Sequence, residues 1–151
     1  MTEENTSFTQ SVAGVVIKDG KVLLARHTYG AGKGKFIVPG GYIRKGELPE
    51  EAIVREYLEE VGVSIAPRKV IAVRFNTKDW YVAFSADYIA GSAHSDNDEN
   101  DEVIWLPIEE ALARDDVPDL TQKLIECAAN CGFSKIDYIG KNPPYTLYGA
   151  K

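Results

Sequence analysis

The chain has 151 residues, 44% hydrophobic and 26% charged, enough for one globular domain with a real core, too few for two ordinary ones, and a composition that rules out disorder as the dominant state. Seventeen Lys and Arg against 23 Asp and Glu leave a net charge of −6. Nucleic acid is thereby excluded as the main partner, because a phosphate backbone is normally held by a basic surface.

The N-terminal residues Met1-Thr2-Glu3-Glu4-Asn5 are acidic and polar, without the basic flank and apolar stretch of a signal peptide. The longest apolar run, residues 12–17, is too short to cross a bilayer. No membrane association is therefore expected, and a cytoplasmic location is. Residues 12–17 and 22–25 read as the arms of a hairpin around Asp19-Gly20, a pair that tolerates the positive φ of a tight turn. A glycine-rich loop, residues 29–35, leads into Phe36-Ile37-Val38 and then Pro39-Gly40-Gly41. From Pro49 to Val61 the pattern turns helical: Pro49 suits the first turn, Glu50 and Glu51 complement its positive end, and Gly62 is a stop.

Two β-rich runs follow, residues 70–75 and 80–89, then a polar loop over 91–101. A short strand at 102–106 is closed by Pro107, and helices are expected near 108–114 and 120–129. Cys127 and Cys131 lie on the last of these. Neither histidine, His27 or His94, is near them in sequence, so they read as buried thiols and not as metal ligands, compatible with a reducing compartment. Residues 1–8 and about 140–151 are tails of a single domain spanning 1–151. The expected fold class is α/β (α+β), a sandwich with a mixed, partly antiparallel sheet.

The acids are unevenly spread. Six fall between Glu47 and Glu60 and five between Asp96 and Glu102, which together hold 11 of the 23. At about 100° per residue, Glu56, Glu59 and Glu60 share an arc of roughly 100°. Ile53, Val54, Tyr57, Leu58 and Val61 share another that would bury against a sheet. Glu59 and Glu60 occupy the last turn, where the helix dipole disfavours acids. Two shielded carboxylates about 6 Å apart repel by roughly 3 kcal/mol at an effective dielectric of 20. A hard dication such as Mg²⁺ removes that penalty and also binds phosphates.

The spacing from Gly41 through Glu47 to Arg55-Glu56-Tyr57-Leu58-Glu59-Glu60-Val61-Gly62-Val63 resembles the Nudix box, GX5EX7REUXEEXGU with U aliphatic. Chance agreement at its fixed positions is on the order of one in 10⁸ per starting point. The resemblance covers roughly residues 12–112, with Tyr57 at a U position as its one departure. It implies a Nudix-type α/β/α sandwich that hydrolyses a nucleoside diphosphate linked to another moiety. It further implies Mg²⁺ or Mn²⁺ held by Glu56, Glu59 and Glu60 with a backbone carbonyl of the Gly40-Gly41 segment. By the same resemblance, Glu47 and Arg55 support the box as an ion pair. The general base is a box glutamate, Glu59 or Glu60, or a downstream carboxylate, for which Glu99 and Glu102 are preferred.

Arg26, Lys33 and Lys35 are candidates for phosphate contacts, although the glycine loop is no Walker motif. Arg74, Phe75 and Tyr81 lie on predicted strands that offer a base-stacking face. The expected partner is a small phosphorylated nucleotide, and a homodimer is compatible with the chain. The competing reading is a Nudix domain that senses a nucleotide without turning it over. Retention of every box carboxylate favours catalysis.

Overall fold

β1 (Thr9–Lys18) turns through Asp19 and Gly20, at φ 53° and 76°, into β2 (Lys21–His27). This is the expected hairpin, seen in a computed structural model that describes residues 9–130, 132–137 and 146–150. The two strands pair only beside the turn, Ile17 with Val22 and Lys18 with Lys21. Beyond that they part. β1 runs parallel to β6 (Asp79–Ala90), from Thr9–Asp79 to Val16–Ala86, while β2 pairs antiparallel with β7 (Asn100–Pro107).

The fork is filled by the segment that crosses it. β3 (Phe36–Ile37) pairs with Ala25 and Arg26 on the edge of β2 that β1 has left. β4 (Gly40–Tyr42) pairs with residues 11–13 on the edge of β1 that β2 has left. Val38 and Pro39 carry the chain between them, and the Gly14 N–H donates to the Pro39 carbonyl at 3.1 Å. On the far side β6 pairs with β5 (Ser64–Phe75), which pairs in turn with β8 (Phe133–Lys135) and through it β9 (Tyr148–Gly149). The sheet is mixed.

Strand alternation sorts the core into two layers. Val12, Val16, Leu23 and Phe84 face α1 (Pro49–Val61), which buries Ile53, Tyr57 and Val61 against them. Ala13, Val15, Val22 and Leu24 face the other way, onto Leu124 and Ile125 of α3 (Asp119–Ala128). The single-turn α2 (Ile108–Ala111) joins that second layer through Ala111. Among the described residues no helix is long and apolar enough to cross a membrane.

Several boundaries differ from the sequence reading. β5 begins at Ser64, not at Val70, and takes in Pro67, which pairs with Ala86 beside a slip in the register with β6. β7 begins at Asn100, two residues before the expected strand at Glu102. α2 ends at Ala111 and does not run to Arg114; the backbone tightens there, with Ala113 N–H donating to Glu110 O. Cys127 is half-buried near the end of α3, not a buried thiol, and Cys131 lies outside the described residues. The 1–8 tail also lies outside them, as do 140–145 and 151. Of the expected C-terminal tail, Tyr148 pairs with Lys135 and its hydroxyl donates to Glu50 Oε2 at 3.1 Å.

On α1 the buried arc is rotated from the expected one. Leu58 is 55% exposed, whereas Glu56 and Glu60 are buried, because β4 and the 92–100 loop cover that side of the helix. Tyr57, the departure from the box, is fully buried and its hydroxyl donates to Gly14 O at 2.6 Å. The ring fits because position 14 has no side chain: a Cβ there would lie 2.9 Å from both Tyr57 Cε1 and Ile53 Cγ1. Gly14→Ala is therefore expected to destabilise the fold by about 1–3 kcal/mol through overpacking. The readout is a lower urea midpoint at unchanged m-value.

Candidate active site

Arg55 organises the carboxylates. Its Nε donates to Glu47 Oε2 at 2.6 Å and its Nη2 to Glu47 Oε1 at 3.0 Å and Tyr42 O at 3.1 Å. Its Nη1 reaches Glu56 Oε1 at 2.8 Å and Glu59 Oε1 at 3.2 Å. The guanidinium holds the Glu47 carboxyl below its ordinary range, and the Arg44 N–H donates to the same carboxylate at 2.9 Å. The loop from Tyr42 to Glu47 is thus pinned to the middle of α1.

One turn apart on that helix, Glu56 and Glu60 point inward at 9% and 6% exposure. Gly41 lies so close over Glu56 that a Cβ there would collide with the carboxylate. The Glu60 carboxyl is held far above the usual range by burial first, then by its hydrogen bond to Glu56 and the charges of Glu56 and Glu99. A backbone hydrogen bond from Gly40 opposes these. Glu60 therefore keeps a proton where an exposed glutamate would lose it. Glu59 is exposed and turned outward, between Arg55 and Arg44, the latter at 3.7 Å.

The facing wall is the turn before β7. Asp96 Oδ1 accepts from the Asp98 and Asn100 N–H groups at 2.9 and 3.0 Å. The Thr28 N–H donates to Glu99 O at 3.0 Å and the Thr28 hydroxyl to Asp98 O at 2.7 Å. This turn presents Glu99 to the pair on α1. Burial, then the charge of Glu56, raise the Glu99 carboxyl above its ordinary value. A cavity with about 10 Å³ of room for water lies between His27, Tyr29, Gly40, Glu60, Glu99 and Asn100. Tyr29, 55% exposed, stacks on His27 with centroids 5.9 Å apart and planes 11° from parallel. Its phenol is raised by burial and by Glu99 and Glu60.

Sequence-predicted residues are only partly brought together. Glu56, Glu60, Gly40, Gly41 and Glu99 converge, with Glu47 and Arg55 beneath them. Glu102 does not join them: it pairs with Arg26 at 3.3 Å, and Arg26 is also bound to Asp101 at 2.7 Å and lies over the Phe36 ring. Lys33 and Lys35 are exposed on the loop that follows Tyr29. Arg74 is paired with Asp79 at 3.0 Å and lies over the Tyr81 ring, while Phe75 sits edge-on to Trp80 at the end of the β5–β6 hairpin. None of those three lines the cavity at Glu60. His27, Tyr29 and Asn100 were missed; the signal for Asn100 was a carboxamide set between Glu99 and Asp101, one of two, with Asn97, in an otherwise acidic run.

The donor set fits a hard divalent cation. Two buried carboxyls lie together, and among the described residues no Lys or Arg pairs with Glu60. The same residues hold no ready group of three acids or histidines, because Glu59 is drawn outward by Arg44 and Arg55.

Comparison with known proteins bears on this geometry. The NUDIX domain matches residues 8–126. An ADP-ribose pyrophosphatase of Methanocaldococcus jannaschii is 40% identical over 63 residues, 42% of this chain and 37% of its own length. The chain thus spans little more than a third of that relative. A MutT-like protein of Streptomyces ambofaciens is 33% identical over 106 residues, 69% of this chain and 67% of its own. A crystal structure of a hydrolase from Nitrosomonas europaea superposes with a TM-score of 0.72 at 21% identity, covering 80% of this chain and 69% of that one, a likeness of fold.

Because Glu47 titrates below its ordinary value of 4.5 when folded, its ion pair stabilises the protein fully above that pH and is lost as pH falls through the folded value. Glu47→Gln is expected to flatten the acid limb of a stability–pH curve measured by urea unfolding. Arg55→Ala, which leaves Glu47 and Glu56 without their partner, is expected to cost about 3–5 kcal/mol at neutral pH.

Proposed function

The chain belongs to the Nudix hydrolase family, and from that premise we propose a Mg²⁺- or Mn²⁺-dependent pyrophosphohydrolase acting on a nucleoside diphosphate linked to another moiety. The observation that carries the reading is the buried Glu56–Glu60 pair facing Glu99 across a small cavity. Glu56 and Glu60, with the backbone of Gly40 and Gly41, would hold the cation, and Glu59 would join them on turning from Arg44. When bound, the cation supplies neutralisation of pyrophosphate charge and a lowered pKa for water.

The remaining chemistry belongs to the chain. Glu99 accepts the proton of the attacking water at its carboxylate, a role for which Glu102 is disfavoured by its pairing with Arg26. Arg55 and Glu47 keep the helix and the glycine segment in register. Lys33 and Lys35, exposed beside Tyr29, meet the phosphate or base of the substrate at the rim. The similarity to an ADP-ribose pyrophosphatase makes ADP-ribose the first compound to test, followed by nucleotide sugars, dinucleoside polyphosphates and nucleoside triphosphates. The reducing interior of a cell is the proposed setting.

Product chromatography over such a panel is expected to show turnover that requires Mg²⁺ or Mn²⁺. Glu60→Gln is expected to remove several kcal/mol of transition-state stabilisation, on the order of a thousandfold in rate. No metal-dependent turnover of any member would favour a nucleotide-sensing domain instead. Independently of substrate, Mg²⁺ at a hundredfold excess over its Kd should stabilise the wild type by about 2.7 kcal/mol. That is a rise in Tm on the order of 5–10 °C for a chain of this size. Glu60→Gln should lose most of the rise.

A further inference from the structure

β7 opens on a side chain unlike its neighbours: Asn100 is 1% exposed, whereas Glu99, Asp101 and Glu102 are all exposed. Its backbone is fully engaged, the N–H with Asp96 Oδ1 at 3.0 Å and the carbonyl with the Ser95 hydroxyl at 2.9 Å. Its Nδ2 donates to Glu60 O at 3.0 Å. That carbonyl belongs to the last turn of α1, where helical carbonyls have no partner within the helix. The next one, Val61 O, is taken by the His94 N–H at 3.0 Å. The 92–100 loop is therefore fastened to the end of α1 at two successive carbonyls, one of them by the Asn100 side chain.

The other end of the carboxamide is the telling part. Asn100 Oδ1 is buried and has no hydrogen-bond partner among the described residues. A buried amide oxygen in that condition has given up its water without a protein partner in exchange, which is unfavourable. Asn100 also lines the cavity shared with Glu60, Glu99, Gly40, His27 and Tyr29, whose room of about 10 Å³ is that of one water molecule. A polar wall with an unused acceptor and nearby carboxyls supplies the several partners a buried water needs. Aspartate at this position would lack the donor for Glu60 O and add a charge beside three carboxyls; leucine would lack both hydrogen-bonding ends. Asparagine is neutral and carries a donor on one side and an acceptor on the other.

We infer that Asn100 is a positioning residue: its Nδ2 anchors the Glu99 turn to the Glu60 end of α1, and its Oδ1 seats one ordered water that bridges to the Glu60 and Glu99 carboxyls. Glu99 is thereby held at a fixed reach across the site. This inference rests on the hydrolase reading for its kinetic consequence, and on the cavity alone for the water.

The test is a double-mutant cycle on the full chain with Mg²⁺ and the best substrate of the panel. Asn100→Ala is expected to lower kcat by about 10–100-fold, the scale of a small misplacement of a reacting group, with KM within about twofold. In a Glu99→Gln background the same change should lower kcat by less than about twofold, since its effect passes through Glu99. An unchanged kcat in Asn100→Ala, or the same fold-loss in both backgrounds, overturns the positioning role. Asn100→Ser, which retains a small acceptor, carries the cycle if the alanine variant does not fold. A crystal structure of the wild type should show a water within about 3.2 Å of Asn100 Oδ1, in contact with Glu60 or Glu99. Density showing a protein group on Oδ1, or no water there, overturns the water site. A wild type that turns over no panel member refutes the hydrolase reading and with it the positioning role, while diffraction still decides the water.

Discussion

A single half-buried guanidinium makes the acidic site tenable. The five N–H donors of Arg55 are all used, on two oxygens of Glu47, one each of Glu56 and Glu59, and the Tyr42 carbonyl. Two of those partners, Tyr42 at the end of β4 and Glu47 in the loop after it, precede α1 and two lie on the helix itself, so that segment cannot shift along the helix without breaking a charged bond. A lysine would place a point charge there but lacks the planar fork that serves Glu47 and Tyr42 together. Gly41 can lie against Glu56 because Arg55 has already fixed where Glu56 is.

Charge at the site is arranged in depth and not neutralised at the surface. Below the carboxylates Arg55 supplies the compensating cation; above them, at Glu60, there is none among the described residues. The outcome is a graded pair: Glu56 leans on Arg55, and Glu60 leans on Glu56 and Gly40. Under the proposed function a ligand cation would replace the proton on Glu60 and complete the gradient, and a net charge of −6 would then be compatible with a phosphorylated substrate.

How much of this was legible depends on the distance over which each feature is decided. The first hairpin and the limits of α1 are local, set by Asp19-Gly20, Pro49 and Gly62, and were readable. The fork was not, because it arises from the pairing of β1 with β6, some 70 residues away in sequence. Which downstream glutamate faces the site turned on where β7 begins. A strand starting at Asn100 leaves Glu99 on the preceding turn and sends Glu102 to Arg26, a distinction of register that composition cannot carry. Leu58 and Glu56 exchanged burial for the same reason: a helical wheel knows the arc but not what covers it. Tyr57 is a legible oddity whose explanation, a missing side chain at Gly14, lies 43 residues upstream.

The fork has one more effect. A sheet that splits presents two bare rows of backbone donors and acceptors, a template on which a foreign strand can add. Here the crossing segment lays β3 on one row and β4 on the other beside the split, so those stretches of edge are not left open to another chain. The residues that deliver Gly40 and Gly41 to the carboxylates thus also guard against aggregation, and a change made in them to alter specificity would act on solubility as well.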